Sequence, residues 1–350
     1  MGGGAAGGRP ARPPSDDVLT ASPRPRSATP RVAVDAMGGD AAPRVVVAGA
    51  LRALARGGVE VTLVGHPRAL ADAVAELGVA PDELPIVPAH ETVGMDEGPV
   101  LATRAKPSSS IRVATGLLAA GRVDAVLSAG STGATLAAAL LDLGRLPGVR
   151  RPALAAAIPL RDGGATVLVD AGASADVGAE LLPGYARMGV AYAGVRGDTP
   201  TALGGDEPLR VGLLNVGAEA GKGNALARAA RELLEDVAGF VGNVEPADVL
   251  AGAVDVVVSD GFTGNVFLKT LEAAGAGREE AARAGTTAPL LGVAGEVLVA
   301  HGAATADDIA AGIRAAAAAA GAGLSDRVAE RLAVPGAPST SAPASDTRGG

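Results

Sequence analysis

The chain has no cysteine, tryptophan or glutamine among its 350 residues, and only two Tyr and three Phe. Without cysteine it has no disulfide scaffold, no thiolate metal site and no cysteine nucleophile, and a cytoplasmic protein is expected. Positive charge is also short. Thirty Lys and Arg against 38 Asp and Glu give a net charge of −8, so no basic field is available to wrap nucleic acid. The three histidines, His66, His90 and His301, are too widely spaced to suggest a metal site. His66 precedes a proline and reads as a turn residue, and His90 as a strand end. His301 stands between the run Glu296–Ala300 and Gly302, a place suited to proton transfer. Long apolar runs are missing as well. The stretch from Thr286 to Ala304 is interrupted by Glu296 and His301, so no membrane span is expected. Residues 1–30 lack the apolar segment of a secretory signal.

What is present is a large apolar fraction, 48%, enough to build a substantial core. Residues 1–30 and 334–350 are Gly, Pro, Ala, Ser and Arg without periodicity and are expected to be disordered tails. Between them, 31–333 reads as one catalytic domain. Continuous β-branched runs at Val32–Met37, Val59–Gly65, Ala125–Gly130, Val167–Ala171, Val211–Val216 and Val254–Ser259 predict strands covered on both faces. Helical patterns follow at Pro43–Arg56, Pro67–Leu77, Ser109–Ala120, Thr132–Leu143, Asn224–Asp236 and Thr305–Ala320. The alternation predicts a three-layer α/β/α fold with a mostly parallel sheet.

Such sheets bind ligands beyond the carboxyl ends of their strands. Here those ends read Asp35-Ala-Met-Gly-Gly-Asp40, Ser128-Ala-Gly-Ser-Thr-Gly-Ala134, Asp170-Ala-Gly-Ala173, Asn215-Val-Gly217 and Ser259-Asp-Gly-Phe-Thr-Gly-Asn265. Each is also ordinary turn chemistry, but their repetition predicts a phosphate-binding floor, because glycines let backbone N–H groups approach an anion. Scarce residues sharpen the prediction. The only lysines are Lys106, Lys222 and Lys269, and the only asparagines are Asn215, Asn224, Asn243 and Asn265. All the Asn, all the Phe and two of the Lys fall between 215 and 269. Lys is a compact phosphate-binding charge that Arg does not simply replace, and Asn both donates and accepts. Known phosphate motifs fail: Gly217 to Gly223 is one residue too short for a P-loop and ends without its Ser or Thr. No dinucleotide fingerprint follows the first strand.

Taken in order, Val34-Asp-Ala-Met-Gly-Gly-Asp40, Ser128-Ala-Gly-Ser-Thr-Gly-Ala134, Val211-Gly-Leu-Leu-Asn-Val-Gly217 with Lys222-Gly-Asn224, Val241-Gly-Asn-Val-Glu245, Asp255 to Asn265 with Leu268-Lys-Thr270, and Ala300-His-Gly302 resemble the bacterial phosphate acyltransferase family, PlsX. The likeness runs from about Arg31 to Arg314. It implies a fold similar to the isocitrate and isopropylmalate dehydrogenases, without their nicotinamide cofactor. It also implies transfer of a fatty acyl group from acyl carrier protein to inorganic phosphate, giving an acyl phosphate for phospholipid synthesis. The partners it implies are a second copy in a homodimer and a membrane glycerol-3-phosphate acyltransferase, with the protein peripheral to the inner face of the membrane.

On that reading no metal and no cofactor are expected. Lys222, Gly38, Gly39, Ser131 and Thr132 would hold phosphate, with Asn224 beside them. Asn215 and Asn265 would orient the carbonyl, and His301 or Lys269 would protonate the leaving sulfur. Asp35, Asp40 and Asp260 would position cations. Arg104, Lys106, Ser109 and Ser110 would form a dock for the acidic carrier. A single-step transfer is expected, with Ser131 as the alternative covalent nucleophile. The sequence departs from the family where Ala41, Ser131 and Ser174 replace a His and two Asn. It is also shorter between Lys269 and Leu290, where relatives carry a helical hairpin associated with dimerisation and membrane contact. Three other readings stay open: a short-chain phosphotransacylase using acyl-coenzyme A, a nicotinamide- and metal-dependent decarboxylating dehydrogenase, and a non-catalytic scaffold.

Overall fold

Continuous apolar runs need cover on both faces, and the computed structural model supplies it for residues 29–78, 80, 84–161, 163–204, 208–275 and 287–333. The two tails, and most of the short segment between Lys269 and Leu290, lie outside these described residues. Strands β1 (Arg31–Asp35), β4 (Ala125–Ser128), β6 (Ala165–Val169), β7 (Val211–Leu214), β9 (Val256–Val258) and β11 (Glu296–Ala300) are buried along their whole length. Side chains alternate across a strand, so each strand feeds two cores. Val32, Val34, Leu127, Val169 and Val258 enter one, and Ala33, Val126, Leu168 and Val257 enter the other.

The first core is covered by α1 (Arg44–Ala55), α6 (Leu182–Arg196), α11 (Ala306–Ala322) and α12 (Leu324–Leu332), through residues such as Val47, Tyr185, Ile309 and Val328. The second is covered by α4 (Ser110–Ala119), α5 (Thr132–Asp142) and α10 (Gly261–Gly275), through Ile111, Ala138 and Leu268. This is the expected three-layer arrangement. Helices α1 and α11 meet at a glycine: a methyl on Gly49 would lie 2.5 Å from the Ile309 Cβ. Shorter helices complete the chain: α2 (Pro67–Glu76), α3 (Pro99–Ala105), α7 (Pro200–Gly204), α8 (Ala225–Leu234) and α9 (Pro246–Leu250).

The remaining strands are β2 (Glu60–Gly65), β3 (Ile86–Pro88), β5 (Ala153–Pro159), β8 (Phe240–Val244) and β10 (Thr287–Leu291), and the sheet order is β3-β2-β1-β4-β11-β10-β5-β6-β9-β7-β8. Seven of the ten pairings are parallel, so the sheet is mostly parallel. The three antiparallel pairings are consecutive, β11–β10, β10–β5 and β5–β6. Strands β6, β9, β7 and β8 therefore run opposite to β1, β4 and β11. This corrects the expectation of a single floor: the Gly-rich strand ends occupy two opposite edges of the sheet. The strands that cause the reversal, Ala-rich β5 and the Pro-containing β10, carried little β-branched signal in the sequence.

Candidate active site

At the first edge, Asp35 ends β1 and is fully buried beneath the Gly38–Asp40 loop. Its carboxylate accepts the Ser128 hydroxyl at 2.7 Å and the Met37 N–H at 3.3 Å. Burial pushes its pKa up, against the hydrogen bonds from Ser110, Ser128, Met37 and Gly38 that pull it down. The loop is pinned to its neighbours. Asp40 donates its N–H to the Gly302 carbonyl at 2.8 Å, and a methyl on Gly38 would stand 2.6 Å from the Gly130 nitrogen. Gly39, at φ +109°, adopts backbone geometry that favours glycine.

Beside this loop α5 begins at Ser131. That side chain does not cap its own helix, so the first-turn N–H groups at Thr132 and beyond receive no acceptor from it, an arrangement that can serve an anion. His301 follows β11 and is exposed. Its Nδ1 accepts the Ala303 N–H at 3.2 Å, which in the neutral ring leaves the proton on Nε2 as a donor. The structure thus brings together Asp35, Gly38, Gly39, Asp40, Ser131, Thr132 and His301 from three adjacent strands.

At the second edge Asp170 is fully buried and organises the loop after β6. It accepts the N–H groups of Leu154, Gly172, Ala173 and Ser174 at 2.9–3.0 Å. Gly172, at φ +141°, lies under Asn265, whose Cγ would be 3.3 Å from a methyl placed there. Asn265 is half-buried on the first turns of α10, and Lys269 follows one turn later, exposed. Asp260 accepts the N–H and hydroxyl of Thr263 at 2.8 and 2.7 Å. It caps the start of α10.

Lys222 is exposed on the loop between β7 and α8, and the asparagines around it hold that loop. Asn215 Nδ2 donates to the Lys222 carbonyl at 3.3 Å while its Oδ1 accepts the Val216 N–H at 2.8 Å. Asn243 donates to the Glu219 carbonyl at 2.8 Å. Asn224 caps α8 by accepting the Ala227 N–H at 2.8 Å. The clustering of scarce asparagines thus has a structural side: three of the four build the platform that presents Lys222.

The expected carrier dock is changed by burial. Ser109 and Ser110 are 0% and 1% exposed, so neither reaches a docking surface, and Ser110 instead serves Asp35. Lys106 is clasped by Glu97 at 2.6 Å, which leaves Arg104 exposed on α3. The sequence marks Asp170 and Ser128 only as the first residues of strand-end motifs and assigns neither a role of its own. Their signal, a polar residue ending an apolar strand, is shared by many turns. Among the described residues no group of His, Asp or Glu is placed to hold a metal ion, and no helix is long and apolar enough to cross a membrane.

Comparison with known proteins places the fold and the family. The fold is that of the phosphotransacylases. A phosphotransacetylase from Streptococcus pyogenes is matched with TM-score 0.60 at 18% identity, over 84% of this chain and 94% of that one. The EutD phosphotransacetylase from Staphylococcus aureus is matched at 0.59 and 16%, over 85% and 96%. Sequence narrows the class. A family described as fatty acid synthesis protein matches residues 30–284. The phosphate acyltransferase of Thermobifida fusca is 45% identical over 322 residues, covering 82% of this chain and 87% of the relative. That of Thermus thermophilus is 45% identical over 336 residues, covering 86% and 98%. The chain belongs to the phosphate acyltransferase family, PlsX, and is an acyltransferase.

Proposed function

We propose that the protein transfers a fatty acyl group from acyl carrier protein to inorganic phosphate, forming an acyl phosphate for phospholipid synthesis. The observation that carries this reading is the first-edge cradle, where the Gly38–Gly39 loop is locked against Gly130 and Gly302 beside the uncapped start of α5. Phosphate rests on that backbone with Ser131 and Thr132. Sheets twist by about 20–25° per strand, so the five steps from β4 to β9 turn the second edge by roughly 100–125° towards the first. On this proposal the twist offsets the reversal of strand direction, so that Lys222 and Asn265 serve the same cleft as the cradle.

An oxygen of hydrogen phosphate attacks the thioester carbonyl carbon, the C–S bond breaks, and the proton carried by the phosphate passes to the leaving thiolate, whose sulfur accepts a hydrogen bond from His301 Nε2–H. Asn265 donates to the developing oxyanion, a role commonly worth about 3–4 kcal/mol of barrier. Lys222 and Lys269 balance the charge of the phosphate, and Asn215 and Asn224 act by positioning Lys222. Arg104 is the exposed cation available to the acidic carrier. The active form is a homodimer that works at the inner membrane face and hands its product to a glycerol-3-phosphate acyltransferase.

The test is acyl-phosphate formation trapped as hydroxamate, with palmitoyl-acyl carrier protein or palmitoyl-coenzyme A as donor. Turnover with the carrier donor, reduced at least 100-fold in Lys222→Ala, is the expected result. Turnover with coenzyme A alone would assign the protein to the short-chain phosphotransacylase type. No turnover by folded wild-type protein would overturn the reading.

A further inference from the structure

Three of the large apolar side chains left in water lie close together in sequence before and on α3: Met95 at 54%, Val100 at 50% and Leu101 at 76% exposure. The segment that carries them adjoins the cradle through Met95 and Pro99. The Met95 Cε is 3.5 Å from where a methyl on Gly302 would stand, and the Asp40 Oδ1 is 3.2 Å from the same point. On the other side Pro99, which opens α3, lies 2.8 Å from a methyl placed on Gly133 in the first turn of α5. The segment therefore leans on both walls of the site.

It is also held in shape. Lys106 Nζ donates to the Thr92 carbonyl at 2.9 Å and to both Glu97 oxygens at 2.6 and 2.7 Å, while Glu97 accepts the Gly94 N–H at 2.8 Å. One of only three lysines in the chain ties both ends of the 92–97 loop together. A charge-assisted clasp on a surface loop has a purpose if the loop must present something, and what it presents is a flexible thioether flanked by aliphatic groups. Methionine surfaces accommodate apolar chains of varied shape.

We propose that Met95, Val100 and Leu101 bind the alkyl chain of the acyl group as it leaves the phosphate cradle, and that Lys106 is a positioning residue for that surface. This rests on the acyl-transfer reading, which puts the carbonyl carbon at the cradle and so requires an apolar path out of it. The placement against Gly302 and Gly133 favours the chain over a protein or lipid surface, since either of those would need an apolar patch that does not converge on the anion site.

Binding of dodecylphosphonate and methylphosphonate to the full chain, measured by calorimetry, tests the proposal without turnover. In wild type the dodecyl compound binds tighter. In the Met95→Ser/Leu101→Ser variant that preference falls about tenfold, the scale of a lost apolar pocket contact, while methylphosphonate binding is unchanged. Lys106→Met produces the same selective loss and Lys106→Arg restores much of it. An undiminished dodecyl preference overturns the proposal, as does equal loss of both ligands. A loss confined to the KM of carrier-bound donors, with dodecylphosphonate unaffected, reassigns the surface to carrier docking and also overturns it. If the wild type forms no acyl phosphate but the chain-length effect appears, the transfer reading fails, the assignment to an acyl group in transfer is overturned with it, and only an alkyl-binding surface beside the anion site is left.

Discussion

Replacing Gly38 by alanine tests the phosphate cradle at its tightest point. The new methyl would stand 2.6 Å from the Gly130 nitrogen and 2.9 Å from the Asp35 Oδ2, against 3.4–4 Å for ordinary contact. Neither neighbour yields easily. One is backbone at the entry to α5, and the other is a buried carboxylate fixed by Ser128. The strands move apart or the loop lifts, and overpacking of this kind costs about 1–3 kcal/mol. If the displacement falls on the bound anion, KM for phosphate rises by roughly 5- to 150-fold. Gly130→Ala is milder, because its methyl would meet the Ser128 Oγ at 3.2 Å and the Asp35 Oδ2 at 3.5 Å. Gly98→Ala meets nothing within 4 Å and is the control. The assay is hydroxamate-trapped acyl phosphate across a phosphate titration, with thermal unfolding alongside to separate a damaged site from a damaged fold. The expected order of phosphate KM is Gly38→Ala, then Gly130→Ala, then Gly98→Ala equal to wild type. A Gly38→Ala enzyme that keeps both its fold and the wild-type phosphate KM would refute the cradle.

Other consequences follow from packing, titration and loop geometry. Gly49→Ala forces α1 away from Ile309 and should lower stability by about 1–3 kcal/mol, whereas Gly194→Ala on α6, with open space around it, should raise it by up to about 1 kcal/mol; urea midpoints decide both. Asp35 titrates above the usual carboxylate range in the folded state because burial disfavours its charge. Between that ordinary range and its raised value the folded protein binds more protons than the unfolded one, so this contribution to stability falls as pH rises. The stability of Asp35→Asn relative to wild type should therefore improve from about pH 4 upward, and parallel pH–stability curves would contradict the assignment. Asp255 is the opposite case. Burial pushes it up, but the hydrogen bonds from Thr201 and Arg210 outweigh this and hold it low, so its contribution is present at neutral pH and lost on acidification. Asn215→Ala should free the Lys222 loop and raise KM for phosphate with little change in unfolding temperature, while a large loss of stability would mean its role is in the core.

The layer architecture was legible because it rests on local pattern. Unbroken Val-rich runs need two covered faces, and the helices between them carry apolar stripes at helical spacing. The six strands marked in the sequence are strands in the structure, and the six marked helices are helices, each within a few residues. What escaped were elements whose identity depends on neighbours. β5 reads as alanine-rich and becomes a strand because β6 and β10 pair with it, and β3 is a three-residue addition at the sheet margin. The chemical residues were legible as types, from Gly-rich strand ends and rationed Lys and Asn.

The sequence by itself determined the residue chemistry and the three-layer core, since both depend on composition and short-range periodicity. Only the tertiary structure decided how that chemistry is distributed. It set the reversal of strand direction at β10 and β5, which sends His301 to one edge and Lys222 and Asn265 to the other. It buried Ser109 and Ser110 away from any partner, gave Asn215, Asn224 and Asp260 to loop and helix ends, and turned Lys106 into a clasp. The strand reversal rests on pairings between residues far apart in the chain; the caps and the Lys106 clasp are local bonds of 3–14 residues, and these too exist only once the loop has taken its folded shape and brought donor and acceptor together.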